Sequence, residues 1–274
     1  MIKFLNYGDS IISGKYTKYS EFNHVINYES NGKLLSVIDT NVPLMPNSLQ
    51  ISNFDINFHS HIEITNSLII IDNSEVLINS ILKYDSTLDL SKLNLHSLLR
   101  NISLISENIN LFNTKSYAFL IDNNLSNNFD SAFEKALLRT VKAGYEEIIT
   151  GNIEFGIEKI KGTGYGLTPS GDDFIAGLLF GLHINEILYG KKLLILKAKI
   201  FEIAKSKNLY STNFLYFAKE GLYFEYLKNL IINLGLNDNF EILKAIKKMV
   251  SYGESSGSDL LTGLYLCIYN KIGI

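Results

Sequence analysis

The sequence has very little cysteine and no long apolar run. Cys267 is the single cysteine among 274 residues, so an internal disulfide is excluded, which is typical of proteins in the reducing cytoplasm. It lies in an apolar stretch and is interpreted as a small buried side chain rather than a nucleophile.

The longest apolar run, residues 174–182, is far shorter than the roughly 20 residues that cross a bilayer, and no basic start with an apolar core marks a secretory signal. We therefore expect a cytoplasmic protein without a membrane partner.

Basic clusters and nucleotide-binding motifs are also missing. The formal net charge is −3, and no basic footprint indicates a nucleic-acid partner, so we expect none. A Walker A loop is excluded because Gly-Lys-Ser and Gly-Lys-Thr do not occur. The Rossmann fingerprint is excluded because Gly162, Gly164 and Gly166 have the wrong spacing and follow a predicted helix.

The hydrophobic periodicity changes once, near residue 88. Before it, short apolar runs alternate with turn residues, which predicts a small β barrel or sandwich. After it, apolar residues recur every three to four positions, with one strand-like interruption at residues 116–121. Helices are predicted at residues 129–149, 153–160, 172–188, 192–206, 213–233, 239–251 and 258–271. The predicted class is α+β, with a β-rich domain at residues 1–88 packed on a mostly helical domain at residues 89–274.

Two ten-residue segments, 170–179 and 256–265, are nearly the same. Ser, Gly, Asp, Gly and Leu recur in register with apolar residues between them, which predicts two equivalent helix starts. Ser170 with Asp173, and Ser256 with Asp259, have the spacing of a capping box. A glycine inside a helix costs about 1 kcal/mol against alanine, and the repeat places one at 177 and one at 263. We therefore predict that the two helices cross at these glycines and bring the repeats together.

The first repeat follows a glycine-rich approach, which a plain helix does not need. Gly162, Gly164 and Gly166 permit positive φ and close backbone approach. The helix start adds unpaired N–H groups and a positive dipole end. The segment thus predicts an anion site. The alternative is that capping and packing alone explain the serines and aspartates of both repeats.

The candidate site residues come from both repeats, from the glycine approach and from the polar segment 210–213. The candidate catalytic residues are Asp172, Asp173 and Asp259. The candidate substrate-binding residues are Gly164, Gly166, Thr168, Ser170, Gly171, Ser211, Thr212, Ser256 and Gly257. For Ser211 and Thr212, helix capping is the alternative role.

No metal-binding residues are assigned, although Mg²⁺ is a possible cofactor because it takes one or two carboxylates and keeps its waters. Asp172 and Asp173 are adjacent, and adjacent helical residues point about 100° apart, which disfavours one ion shared by both. His59 and His61 alternate on a predicted strand without an evident third ligand, so we interpret them as a surface pair.

The stretch Gly-Leu-Thr-Pro-Ser-Gly-Asp-Asp at residues 166–173 closely resembles the signature of the bacterial AllH family, named for a subunit of oxamate carbamoyltransferase. Three weaker segments follow the family's order: residues 46–48, 211–212 and 256–259. The sequence departs from the family pattern at Tyr165, where proline is usual, and at Glu254, where we associate histidine.

The resemblance implies a subunit of a carbamoyl-transfer enzyme in allantoin catabolism, working beside two other subunits. Oxalurate and phosphate would exchange to give oxamate and carbamoyl phosphate, so the expected ligands are small anions. Two other functions remain open: a non-catalytic subunit that binds a metabolite and supports a partner enzyme, and a metal-dependent hydrolase that uses Asp172 and Asp173.

Overall fold

The computed structural model describes residues 3–52, 54, 61–71, 74–89, 93–236 and 238–274. By its internal contacts the chain divides into two compact units. The first comprises Met1–Leu88 with Leu222–Lys228, and the second comprises Asp89–Gly221 with Asn229–Ile274. The predicted α+β class is confirmed, since every described strand lies in the first unit and most helices lie in the second.

The first unit contains one nine-stranded sheet that is curled into a half-barrel. Its strands β1 to β9 are Lys3–Gly8, Gly14–Phe22, Val25–Ser30, Lys33–Ile38, Ser48–Ser52, His61–Ile64, Leu68–Ile71, Ser74–Leu77 and Leu82–Tyr84. Their order across the sheet is β8-β7-β6-β2-β3-β4-β5-β1-β9. Of the two predicted forms, the sheet is closer to a barrel than to a sandwich, because a single curled sheet contains all described strands.

Alternating side chains of the central strands form the core of this unit. Ile26 and Tyr28 in β3, and Leu35 and Val37 in β4, have no exposed surface. Residues two apart on a strand share a face, so these four side chains point to the same side of their strands and join one apolar cluster. The period of two that predicted strands in the sequence therefore reflects one buried face.

Ten α-helices lie among the described residues. Helices α1 to α10 are Leu95–Asn101, Ser103–Glu107, Ala132–Ile149, Ile153–Ile160, Ser170–Tyr189, Leu194–Ala204, Leu209–Glu220, Glu225–Leu234, Asn239–Val250 and Ser256–Tyr269. No helix among the described residues combines the length and the apolar content needed to cross a membrane.

Two predicted elements are wrong. The strand-like segment at residues 116–121 is a short 3₁₀ helix, Tyr117–Leu120, which packs against α10. Its apolar run is continuous because the side chains of three successive residues are buried. The run does not mark one buried face of a strand. The single helix predicted at residues 213–233 is two helices, because Gly221 ends α7 in the left-handed conformation with φ of +69°.

Helices α5 and α10 form the centre of the second unit. Every residue of α5 from Ser170 to Leu182 is buried. A Cβ atom at Gly177 would overlap Leu260 O of α10, and one at Gly263 would overlap Phe174 O of α5. The predicted crossing at these two glycines is therefore confirmed. Cys267 is also buried in α10, as interpreted from the sequence, and burial raises the pKa of its thiol.

Candidate functional site

The glycine approach forms a tight loop between α4 and α5. Gly162, Gly164 and Gly166 have φ of +66°, +92° and +105°, so the predicted need for positive φ is confirmed at all three. The loop returns so closely that a Cβ atom at Gly171 would overlap Ile160 O. Close packing against the end of α4 therefore accounts for Gly171, without any ligand. Gly257 packs in the same way against Met249 O.

The predicted capping boxes are wrong. Helix α5 begins at Ser170 with Pro169 as its N-cap, and α10 begins at Ser256 with Ser255 as its N-cap. Neither helix has a side-chain capping hydrogen bond. Each serine of the repeat is the first helical residue rather than the cap, and it makes no capping bond to its own helix start. Capping therefore does not explain why Ser170 and Asp173, or Ser256 and Asp259, occur together.

Hydroxyl groups instead connect the two helix starts. Ser170 Oγ lies 3.5 Å from Ser255 Oγ. Thr168 Oγ1 lies 3.5 Å from Ser256 Oγ and donates to Asp173 Oδ2 at 2.9 Å. The prediction that the two repeats lie close together is confirmed.

Asp259 is the most enclosed carboxyl of this cluster. Its Oδ1 accepts the Tyr117 N–H at 2.6 Å, and its Oδ2 is buried without a partner in hydrogen-bond geometry among the described residues. Burial raises the pKa of Asp259 to about 7, although the Tyr117 N–H and the nearby hydroxyls of Ser170 and Ser255 favour the charged form. Burial therefore favours the neutral form of this carboxyl more than water does.

Asp173 occupies the equivalent position on α5. Burial raises its pKa well above the ordinary value, and the negative charge of Asp259 raises it further, against the hydroxyls of Ser256 and Thr168. No ion pair joins Asp173 or Asp259 to a cation among the described residues. Two buried carboxyls that repel each other without a cation hold at least one proton at neutral pH.

Asp172 is tied to the glycine loop. Its Oδ1 accepts the Gly162 N–H at 2.8 Å. Burial raises the pKa of Asp172, whereas the Gly162 N–H, the Ser211 hydroxyl and the charge of Lys161 lower it. Ser211 lies on α7, is buried, and has an Oγ without a partner in hydrogen-bond geometry among the described residues. Asp172 thus joins the loop, the start of α5 and α7.

Three further predicted or noted positions make their printed contacts outside the cluster of carboxyls and hydroxyls. The Thr212 hydroxyl accepts the Ser206 N–H and donates to Ser206 O, so it holds the segment before α7. Glu254 is exposed, and its backbone oxygen accepts a hydrogen bond from the Asn113 side chain. Tyr165 is also exposed and lies against Phe133, with ring centroids 5.6 Å apart.

Tyr117 is a site residue that the sequence analysis missed. Its backbone N–H binds Asp259, and its hydroxyl lies 2.7 Å from Thr163 Oγ1 beside the glycine loop. Thr163 donates its own proton to Ile160 O, so Tyr117 is the donor between the two hydroxyls. Burial raises the pKa of Tyr117, which keeps the phenol neutral. No local signal in the sequence singles out this residue, since its partner is 142 positions away.

Several backbone donors of the loop lack a well-formed hydrogen bond. Among the described residues, the N–H groups of Gly164, Gly166, Thr168 and Ser170 have no acceptor that meets hydrogen-bond distance and angle. At Ser170 this agrees with the unpaired donors that every helix start carries. The loop and the helix start therefore carry backbone donors without well-formed bonds, close in the chain to carboxyls whose pKa is raised.

The described residues give no support for a metal site at the two adjacent aspartates. Among the described residues, no three His, Cys, Asp or Glu side chains are grouped so that they could hold an ion. Asp172 is engaged by the Gly162 N–H and Asp173 by the Thr168 hydroxyl. Mg²⁺ at these two aspartates therefore gains no support from their arrangement. His61 is exposed in β6, and His59 lies outside the described residues.

Known proteins give one point of comparison. No curated protein and no solved structure matches the chain. Residues 160–268 match the model of the AllH family, which is described as oxamate carbamoyltransferase subunit AllH. This segment runs from the glycine loop through both repeats. The match confirms, for this segment, the resemblance that the motif indicated.

Proposed function

We propose that this chain is a subunit of a carbamoyl-transferring enzyme, and that the glycine loop with the starts of α5 and α10 binds its small anionic substrate. The observation that carries the proposal is the meeting of two helix starts with unused loop N–H groups and buried carboxyls that can be neutral. The family match to residues 160–268 supports the reaction class.

The charge balance at the site favours a small anion that carries an amide group. Helix N-termini and N–H groups attract negative oxygens, whereas ionised carboxylates repel them. A protonated carboxyl removes this repulsion and donates a hydrogen bond to a substrate oxygen. An ionised one accepts from a substrate N–H. Asp173 and Asp259, with one proton between them, serve both needs of an oxalurate-like or carbamoyl phosphate-like ligand.

The proposed roles follow from these positions. The N–H groups of Gly164, Gly166 and Thr168 hold phosphate or carboxylate oxygens, and the hydroxyls of Ser170 and Ser256 line the space between the two helices. As phosphate oxygen attacks the carbamoyl carbon, the carbamoyl C–N bond breaks and its electron pair stays on the leaving nitrogen. Asp259, with its pKa near 7, is matched to protonate that nitrogen. Fixed donors stabilise the oxyanion formed between these two steps.

A thermal-shift titration tests the binding site. Phosphate, oxalurate, oxamate or carbamoyl phosphate should raise the melting temperature of the wild-type chain, because a ligand that binds only the native state stabilises it by about 2.7 kcal/mol at 100 times its Kd. Asp173→Asn should abolish the response in a protein that still folds, since the capping role that would make this change destabilising is absent. Glu202→Gln, at an exposed position of α6, is the matched control and should respond like the wild type.

The same preparation separates an enzyme subunit from a binding subunit. Carbamoyl transfer should be measured first with the purified chain and then with candidate partner subunits added. Activity that needs the partners and is lost with Asp173→Asn supports the proposal. If the wild-type chain binds a ligand and the complex that contains Asp173→Asn keeps full activity, the chain is a metabolite-binding subunit. A chain that responds to none of the four ligands contradicts the anion site.

A further inference from the structure

We infer that Asn208 is a positioning residue that sets the glycine loop for ligand binding, an inference that rests on the proposed function. Asn208 lies directly before α7, and both ends of its side-chain amide are used. Its Oδ1 accepts the N–H groups of Tyr210 and Ser211 at 3.0 and 3.2 Å. Its Nδ2 donates to Leu167 O at 2.8 Å. One side chain therefore caps α7 and holds the loop.

Little else holds the backbone of the loop at this point. Among the described residues, the bond from Asn208 is the only hydrogen bond from another element to a backbone atom of residues 164–168. The Leu167 side chain is 52% exposed, so burial does not fix it either. The preceding residue, Gly166, has φ of +105°, a conformation that glycine leaves readily. The orientation of the Leu167 carbonyl thus depends on Asn208.

That carbonyl determines where a donor of the proposed site points. The peptide bond is planar and trans, so the C=O of Leu167 and the N–H of Thr168 point in opposite directions. Since Leu167 O is held on α7, the Thr168 N–H is directed away from α7. The Thr168 side chain lies beside Asp173 and Ser256. Asn208 therefore fixes the direction of one assigned donor without reaching the ligand itself.

The same cap also places Ser211. By accepting the Ser211 N–H, Asn208 fixes the first turn of α7, and the buried Ser211 hydroxyl of that turn favours the charged form of Asp172. Asp172 in turn accepts the Gly162 N–H at the other end of the loop. Asn208 thus acts on both ends of the loop, at Leu167 directly and at Gly162 through α7.

Two substitutions separate capping from loop positioning. Asn208→Asp keeps an acceptor for Tyr210 and Ser211, and aspartate is as good a helix cap as asparagine. It replaces the donor with an oxygen that faces Leu167 O. Asn208→Ser also keeps a capping hydroxyl but is too short to span both contacts. Both variants should retain the helical circular dichroism spectrum, and amide exchange within α7 should match the wild type.

The decisive measurement is hydrogen exchange of the hydrogen-bonded amides of Gly162, Thr163 and Gly171 without ligand, together with the Kd for inorganic phosphate. In both variants these amides should exchange about tenfold faster, and phosphate should bind about tenfold more weakly. Loop exchange and phosphate affinity equal to the wild type in both variants would overturn the inference, and so would faster exchange confined to α7. If the wild type binds no phosphate, the proposed site fails, and the exchange rates still decide whether Asn208 positions the loop.

Discussion

Asp259→Asn is expected to stabilise the protein above pH 7. The carboxyl of Asp259 is buried and its pKa is raised from 3.8 to about 7. Since one pKa unit corresponds to about 1.4 kcal/mol, ionised Asp259 lowers the free energy of unfolding at pH 8 by an amount on the order of a few kcal/mol. Asparagine has nearly the same shape, keeps an oxygen for the Tyr117 N–H, and carries no charge to desolvate. The variant should therefore recover most of that free energy.

The sign of the pH dependence follows from proton linkage. Below pH 3.8 both the folded and the unfolded chain hold the proton, so Asp259 contributes no penalty. Between pH 4 and pH 7 the unfolded chain releases the proton while the folded chain keeps it, so wild-type stability falls as pH rises. Above pH 7 the penalty is fully present. Urea unfolding at pH 5 and pH 8 should show this loss in the wild type and a smaller loss in Asp259→Asn, where the raised pKa of Asp173 still contributes.

Asp85→Asn is a control with the opposite expectation. The Thr87 hydroxyl and N–H lower the pKa of Asp85, so its charged form is favoured in the folded protein and removing the charge should not stabilise it. A destabilised Asp259→Asn protein at pH 8 would contradict our account of the buried carboxyl. A stabilised variant that no longer responds to phosphate would show that the site keeps a destabilising group for binding.

The pairing of α5 with α10 could be predicted because its signal is local. Each copy of the ten-residue repeat, with its glycine, is one segment of the chain. The energetic cost of a glycine inside a helix is known. The capping interpretation was wrong for a reason that lies outside those segments. Ser170 and Ser256 begin their helices one position later than a cap would, and their hydroxyls face the opposite helix start. The spacing of Ser and Asp alone does not reveal that neighbour.

Tyr117 and Asn208 show a different limit. Each reaches the site through its backbone or its side-chain amide, and the partner positions are 142 and 41 residues away. Asparagine before a helix is a common cap, so the second bond of Asn208 has no separate sequence signal. In the first unit, the alternation predicted strands, but not the order that places β1 between β5 and β9. Local patterns specify elements, and long-range contacts specify their partners.

A single methyl group at the helix crossing should have a large effect on stability. Gly177→Ala would place a Cβ atom 2.1 Å from Leu260 O and 2.9 Å from Leu264 N of α10. Both are backbone atoms of a buried helix, so relief requires that α5 and α10 move apart. In an open helix the same change would stabilise by about 1 kcal/mol. Here we expect a loss of about 3 kcal/mol or more, at the upper end of overpacking penalties.

Gly263→Ala makes the reciprocal overlap with Phe174 O and should cost a similar amount. The double variant should lose less than the sum of the two, because one separation of the helices relieves both overlaps. Urea unfolding of the three variants measures this coupling. The separation also moves Ser170 away from Ser255, so phosphate should no longer stabilise whichever variants fold. If Gly177→Ala is instead more stable than the wild type, the helices are not in backbone contact at this crossing, and the site between their N-termini loses its structural basis.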